Sequence, residues 1–198
     1  MAALALIQDI ANPQRSMAKQ TRLQLVHSNP SGEIPVLPET DEELFRRFSS
    51  HVARIGYRLL GRHDEVDDLV QDVFLVAFKH RSQLRDPYAI KGWLSTITVR
   101  TARRRLRMRR IRHFVGMDSP QALSLSQPGA TPEDETLLNR VYALLDQVSV
   151  EQRLAWTLRY IEGERLEQVA DRCGCSLATV KRRIAATHSF LQAELDHG

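Results

Sequence analysis

From Asp41 onward the chain repeats apolar residues at helical intervals. Leu44, Phe48, Val52, Ile55 and Leu59 predict an amphipathic helix that Gly61 ends. A second stripe of Val66, Leu69, Val70, Val73, Phe74 and Ala77 predicts a helix over Asp64–His80. Its first turns carry Asp64, Glu65, Asp67 and Asp68, acids that favour a helix N-terminus. Pro87 disfavours helix at Asp86, so a third helix is expected to start near Ala89 and to pass through Trp93, Leu94 and Ile97. Helical period resumes at Leu138, Val141, Leu145 and Val148. Ser149 with Gln152 reads as a capping box opening a helix through Trp156 and Ile161, which Gly163 closes. Leu166–Cys173 is a short helix and Gly174 a turn. Ser176 caps a last helix with Leu177, Val180, Ile184, His188, Leu191 and Leu195 inward. No segment alternates with period two. The fold class is therefore all-α.

The period lapses in two places. Residues 1–40, with "HSNPSGEIPVLPET", read as a disordered tail, and residues 115–134, rich in Pro, Gly and Ser, as a flexible linker. Two small helical domains are expected, at 41–114 and 135–198.

Charge changes this picture. "TVRTARRRLRMRRIRHF", Thr98–Phe114, holds eight arginines and no acid. Of 28 basic residues in the chain, removing these eight leaves 20 against 24 acids, so the rest of the protein is mildly acidic. One concentrated basic segment suits a polyanion better than it suits general solubility. Arg100, Arg103, Arg104 and Arg107 share a helix face, and Arg105, Arg109 and Arg112 form a stripe beside it. Arginine forks match phosphate oxygens. A solvated charged face is the plainer reading, which the absence of interleaved acids weakens.

In the second half, "RLEQVADRCGCSLATVKRRIAA" has the organisation of a helix-turn-helix, whose second helix reaches base edges in the major groove. Thr179, Arg182, Arg183 and Ala186 are expected to face outward together. Thr179 and Arg182 are the candidate base readers, capped by Ser176, with Lys181 and Arg183 on phosphate. Other chemistry is thin. No run of apolar residues is long enough to span a bilayer, and "MAALALIQDI" reads as neither signal peptide nor anchor. Cys173 and Cys175 are too close together to staple a secreted fold, which fits a cytoplasmic protein. Cofactors and metals are not expected. A metal site from Cys173, Cys175 and His188 is a weak alternative to a buried small residue beside an incidental thiol. No phosphate-cradling glycine loop, HExxH or catalytic triad is present, so no enzymatic activity is expected.

"DEVDDLVQDVFLVAFKH", "IKGWLSTITVRTARRRLRMRR" and "EQRLAWTLRYIEGERLEQVADRCGCSLATVKRRI", in this order across a linker, resemble bacterial RNA polymerase sigma factors of the extracytoplasmic-function type. That resemblance implies two domains, sigma domains two and four. It implies core RNA polymerase as partner, met through its β′ clamp helices and β flap, promoter DNA as the target, and an anti-sigma factor as a partner the family allows. The polymerase-docking surface would carry Asp68, Leu69, Gln71, Asp72 and Leu75. The loop Ser82–Lys91, with Ser82, Asp86 and Lys91, would capture an unstacked −10 base, and Arg100, Arg103, Arg104 and Arg107 would lie on −10 DNA. Ser176, Thr179, Lys181, Arg182 and Arg183 would meet the −35 element. Trp93 falls in the domain core of the family. Relatives usually carry Asn and Asp where this chain has Arg100 and Arg104, a change that favours phosphate contact over base reading.

Two rival readings stand beside this one. A self-sufficient helix-turn-helix regulator would not need core polymerase, but it leaves the acidic-amphipathic helix and the arginine helix unexplained. An enzyme acting on DNA, such as a serine recombinase, would need a nucleophile-bearing domain with strands, and no strand pattern is visible.

Overall fold

The computed structural model describes residues 38, 40–116 and 131–196. The expected disordered tail and flexible linker fall mostly outside these residues. Seven α-helices follow one another among the described residues: α1 (Asp41–Leu60), α2 (Val66–His80), α3 (Ile90–Phe114), α4 (Pro132–Leu145), α5 (Val150–Tyr160), α6 (Leu166–Cys173) and α7 (Leu177–Asp196). Short 3-10 turns at Arg81–Gln83 and Pro87–Ala89 join α2 to α3.

Local chemistry explains the ends. Thr40 Oγ1 accepts the Glu43 N–H at 3.1 Å, and Asp41, Glu42 and Glu43 fill the first turn of α1. The turn after α1 needs glycine twice over. Gly61 sits at φ 66°, and a Cβ there would lie 2.3 Å from the Tyr142 ring. The second half begins earlier than residue 135. Thr131 and Asp134 form a reciprocal capping box, and Pro132 occupies the first turn, so α4 starts inside the expected linker. Ser149 and Gln152 form the expected box at α5. The second helix, expected from Asp64, starts at Val66, with no side-chain cap on its first turn.

Helices α1, α2 and α3 pack mutually around the predicted stripes; α5, α6 and α7 form the second group, with α4 against α7. The two groups also pack on each other. One apolar core runs from Leu44, Leu59 and Leu94 into Leu154, Leu158, Val169 and Val180.

Helix α5 makes this junction. The last carbonyls of α1 have no partner within their own helix, and the second half supplies donors. Tyr142 Oη donates to Arg58 O at 2.6 Å. Arg153 donates to Leu59 O at 3.1 Å and to Leu60 O at 2.8 Å, and it pairs with Asp146. Arg153 is almost wholly buried, and burial pulls its pKa down while Asp146 pushes it up. A cation at a helix C-terminus also meets the negative end of the dipole. Arg58 and Glu162, both nearly buried, add a 3.0 Å ion pair across the same seam.

Candidate nucleic-acid interface

The arginines of α3 divide by what each one touches. Arg100 is exposed and has no ion pair among the described residues. Arg104 and Arg105 both reach Asp72 Oδ2, at 3.1 and 2.6 Å, with Asp68 4.0 Å from Arg105. Arg107, 61% exposed, lies 2.5 Å from Glu151. Arg103 lies 3.2 Å from Glu151 and donates to Cys173 O at 2.8 Å. The outer face therefore carries Arg100, Arg104 and Arg107, while Arg103 is drawn under α5 and α6. The second stripe comes apart. Arg105 leans on α2, and Arg109 is buried, donating to Leu60 O at 3.2 Å and pairing with Glu65 at 2.8 Å.

On α2, Asp68, Gln71 and Leu75 are exposed, and Asp72 is half-buried in its arginine pairs. Leu69 is a correction. It is fully buried, and its Cδ2 would lie 2.6 Å from a Cβ on Gly56, so it holds α1 against α2 and cannot meet a partner. Leu75 and Val76, with Phe45 of α1, form the exposed apolar part of this side. Phe78 is half-buried near Phe74, with ring centroids 5.8 Å apart.

The connection to α3 presents Ser82, Asp86 and Lys91 to solvent. Asp86 also accepts the Tyr88 N–H at 2.9 Å, which shapes the turn. A cavity of about 210 Å³ is lined by Pro38, Leu44, Arg81, Ser82, Leu84 and Ile90. Tyr88, 73% exposed, was not among the expected residues. Its signal was the one aromatic in the loop Ser82–Lys91.

The helix-turn-helix has its expected geometry. Gly174 adopts φ 62°, Cys175 N–H donates to Ala170 O at 3.1 Å, and Ser176 Oγ accepts the Thr179 N–H at 3.3 Å. Lys181 and Arg182 are exposed, and Thr179 is half-buried beside Ser176. Arg183 is half-buried, donating to Cys175 Sγ at 3.3 Å and approaching Glu151 at 3.9 Å. Arg172 braces the motif by donating to Gly92 O at 2.9 Å and pairing with Glu164 at 2.6 Å. Burial raises the Glu164 pKa against the opposing pull of Arg172. Burial likewise pushes the Cys173 thiol up to about 11, so it stays protonated. Among the described residues, no three His, Cys, Asp or Glu side chains gather as metal ligands, and no helix is long and apolar enough to cross a membrane.

Sigma-70 region 2 matches residues 44–111, and Sigma-70 region 4 matches residues 138–187. The ECF RNA polymerase sigma factor EcfG of Rhodopseudomonas palustris is 35% identical over 138 residues, spanning 69% of this chain and 75% of EcfG. The chain belongs to the extracytoplasmic-function sigma factors. The ECF sigma factor SigE of Mycolicibacterium smegmatis is 32% identical over 159 residues, which cover 78% of this chain and 60% of SigE. Among solved structures, the sigma factor RpoE of Bartonella quintana, in complex with the anti-sigma factor NepR, matches with a TM-score of 0.59 at 25% identity. That match covers 78% of this chain and 96% of RpoE. CnrH in complex with the cytosolic domain of CnrY matches with a TM-score of 0.55 at 21% identity, over 100% of this chain and 99% of CnrH, and agrees in fold. In this sigma factor, α1 to α3 correspond to region 2, and α4 to α7 contain region 4.

Proposed function

We propose that this sigma factor docks on core RNA polymerase through the outer side of α2 and directs it to promoters with −10 and −35 elements. Asp68, Gln71, Asp72 and Leu75 would form the docking surface. Ser82, Asp86 and Lys91 would hold an unstacked −10 base near the cavity, with Tyr88 offering a ring for stacking. Arg100, Arg104 and Arg107 would lie along −10 phosphates, joined by Arg103 once it is released. Thr179 and Arg182 would read −35 base edges, while Ser176 and Lys181 meet phosphate. An anti-sigma partner fits this reading, since the Bartonella quintana relative was solved with one.

The observation that carries the proposal is the placement, on one chain, of an exposed acidic and apolar side of α2 next to an arginine face, with a separately capped helix-turn-helix. In-vitro transcription on a genomic promoter library, with and without core polymerase, tests it. Initiation only with core supports the sigma reading. Promoter binding that does not need core would instead make the chain a self-sufficient regulator. Docking needs its own probe, because reversing Asp72 would also release Arg104 and Arg105. Gln71→Ala with Leu75→Glu changes only exposed side chains and should weaken core binding while leaving helical content unchanged.

A further inference from the structure

Promoter elements centred near −10 and −35 lie about 25 base pairs apart, or ~85 Å of duplex at 3.4 Å per pair. The helices assigned to them here share one carboxylate. Glu151, in the first turn of α5, lies 3.2 Å from Arg103, 2.5 Å from Arg107 and 3.9 Å from Arg183. A chain holding both elements cannot keep these contacts, so the two halves must separate before the promoter is bound. Residues 117–130 join them.

We propose that Glu151 stands in for a promoter phosphate. It is an internal latch that occupies the −10 arginines and ties them to the −35 half until core polymerase draws the halves apart. The inference rests on the sigma reading above. A carboxylate offers a guanidinium the same two-oxygen fork that a phosphate does, and Glu151 presents its two oxygens to two different arginines. The seam beneath is apolar and capped by Arg153, so closure does not depend on Glu151 alone. What Glu151 adds is competition. While the halves are closed, Arg103 and Arg107 have a counter-ion that DNA must displace.

The test uses the full chain, a single-stranded −10 oligonucleotide and small-angle scattering. Glu151→Gln keeps the side-chain length and the α5 capping box. It should raise the free chain's affinity for the oligonucleotide about fivefold to tenfold at low salt. It should also steepen the fall of log K with log salt by up to about 1.4, or ~0.7 for each freed phosphate contact. Glu151→Lys places a fourth positive charge among three arginines and should enlarge the radius of gyration. Adding Arg107→Glu to that variant should close the chain again. Holoenzyme carrying Glu151→Gln should bind promoter as wild type does, because core has already opened the chain. Unchanged oligonucleotide affinity and unchanged radius in both Glu151 variants, with holoenzyme still initiating, would overturn the latch and leave the sigma reading intact. Wild-type chain that forms no core-dependent promoter complex would overturn the sigma reading and the latch with it.

Discussion

Helices α3 and α7 are both basic, yet their charges are held differently. On α7, Lys181 and Arg182 stand in solvent with no ion pair among the described residues. On α3, Arg103, Arg104, Arg105, Arg107 and Arg109 all meet carboxylates from other helices or from the turn before α2, and Arg110 donates to Val148 O at 3.0 Å. The residues proposed to read the −35 element are thus unpaired here, whereas Arg103, Arg104 and Arg107 of the proposed −10 stripe already hold carboxylates. Basic residues within one run also differ in kind. Arg107 is 61% exposed, and Arg109, half a turn away, is buried. Positive charge in a sequence is therefore not a count of DNA contacts. What each guanidinium already holds decides its role.

The largest expected effect bears on the stripe. Changing Arg100, Arg103, Arg104 and Arg107 together to Gln should flatten the holoenzyme's log–log salt dependence by roughly 3 units, one phosphate for each residue. Titrations on matched and altered −10 sequences check this, and discrimination among those sequences should survive. A slope that stays put while sequence preference collapses would show that the arginines read bases.

Arg109 supplies the contrast inside the same run. Arg109→Gln should lower stability by about 2–3 kcal/mol, since it removes the partner of Leu60 O and leaves the partly buried Glu65 unpaired. Its holoenzyme salt slope should match that of wild type. Denaturant melts and salt titrations check both halves, and an unaltered melt with a flattened slope would place Arg109 among the DNA contacts.

On α7, Arg182→Ala should relax discrimination at one or two −35 positions by ~1–3 kcal/mol, the value of a bidentate base contact. Equal losses on every −35 variant would make Arg182 a phosphate contact, the role proposed for the outer α3 arginines.

The smallest effect is one of pH, at the N-terminal end of α3. His51 Nδ1 lies 3.3 Å from Arg54 and Nε2 lies 3.1 Å from Ser95 Oγ, an arrangement that fits the neutral ring with its proton on Nε2. Burial, and next Arg54, lower its pKa below the usual 6.5. The folded state then binds fewer protons than the unfolded chain as pH falls below 6.5, so His51's contribution to stability holds above that value and is lost below it. Between pH 7.5 and pH 5.5, wild type should lose more thermal stability than His51→Gln does. Equal losses would move the pH response to another group.

Much of the fold was legible in the chain. The stripes of α1 and α2 are buried as spacing predicts, and the capping box of α5 and the Gly174 turn are local signals with local causes. Leu69 was misplaced because the resemblance assigned it to a surface, while its own period had already put it in the core. That Arg183 lies 3.9 Å from Glu151 was not legible, because a helix face read from one segment takes no account of what packs beside it. Glu151 gave no sign at all, since an acid in the first turn of a helix needs no partner beyond the helix dipole.

The seven helices of the described residues, their order, the helix-turn-helix and the surplus of charge on α3 follow from residue type and spacing, because periodicity and caps act within a few residues. Which arginines are free, which are structural and which are tied to Glu151 follows only from how α5 meets α1 and α3. Those contacts join positions tens of residues apart. They depend on the last carbonyls of α1 finding donors in another part of the chain, and no spacing along the sequence records that.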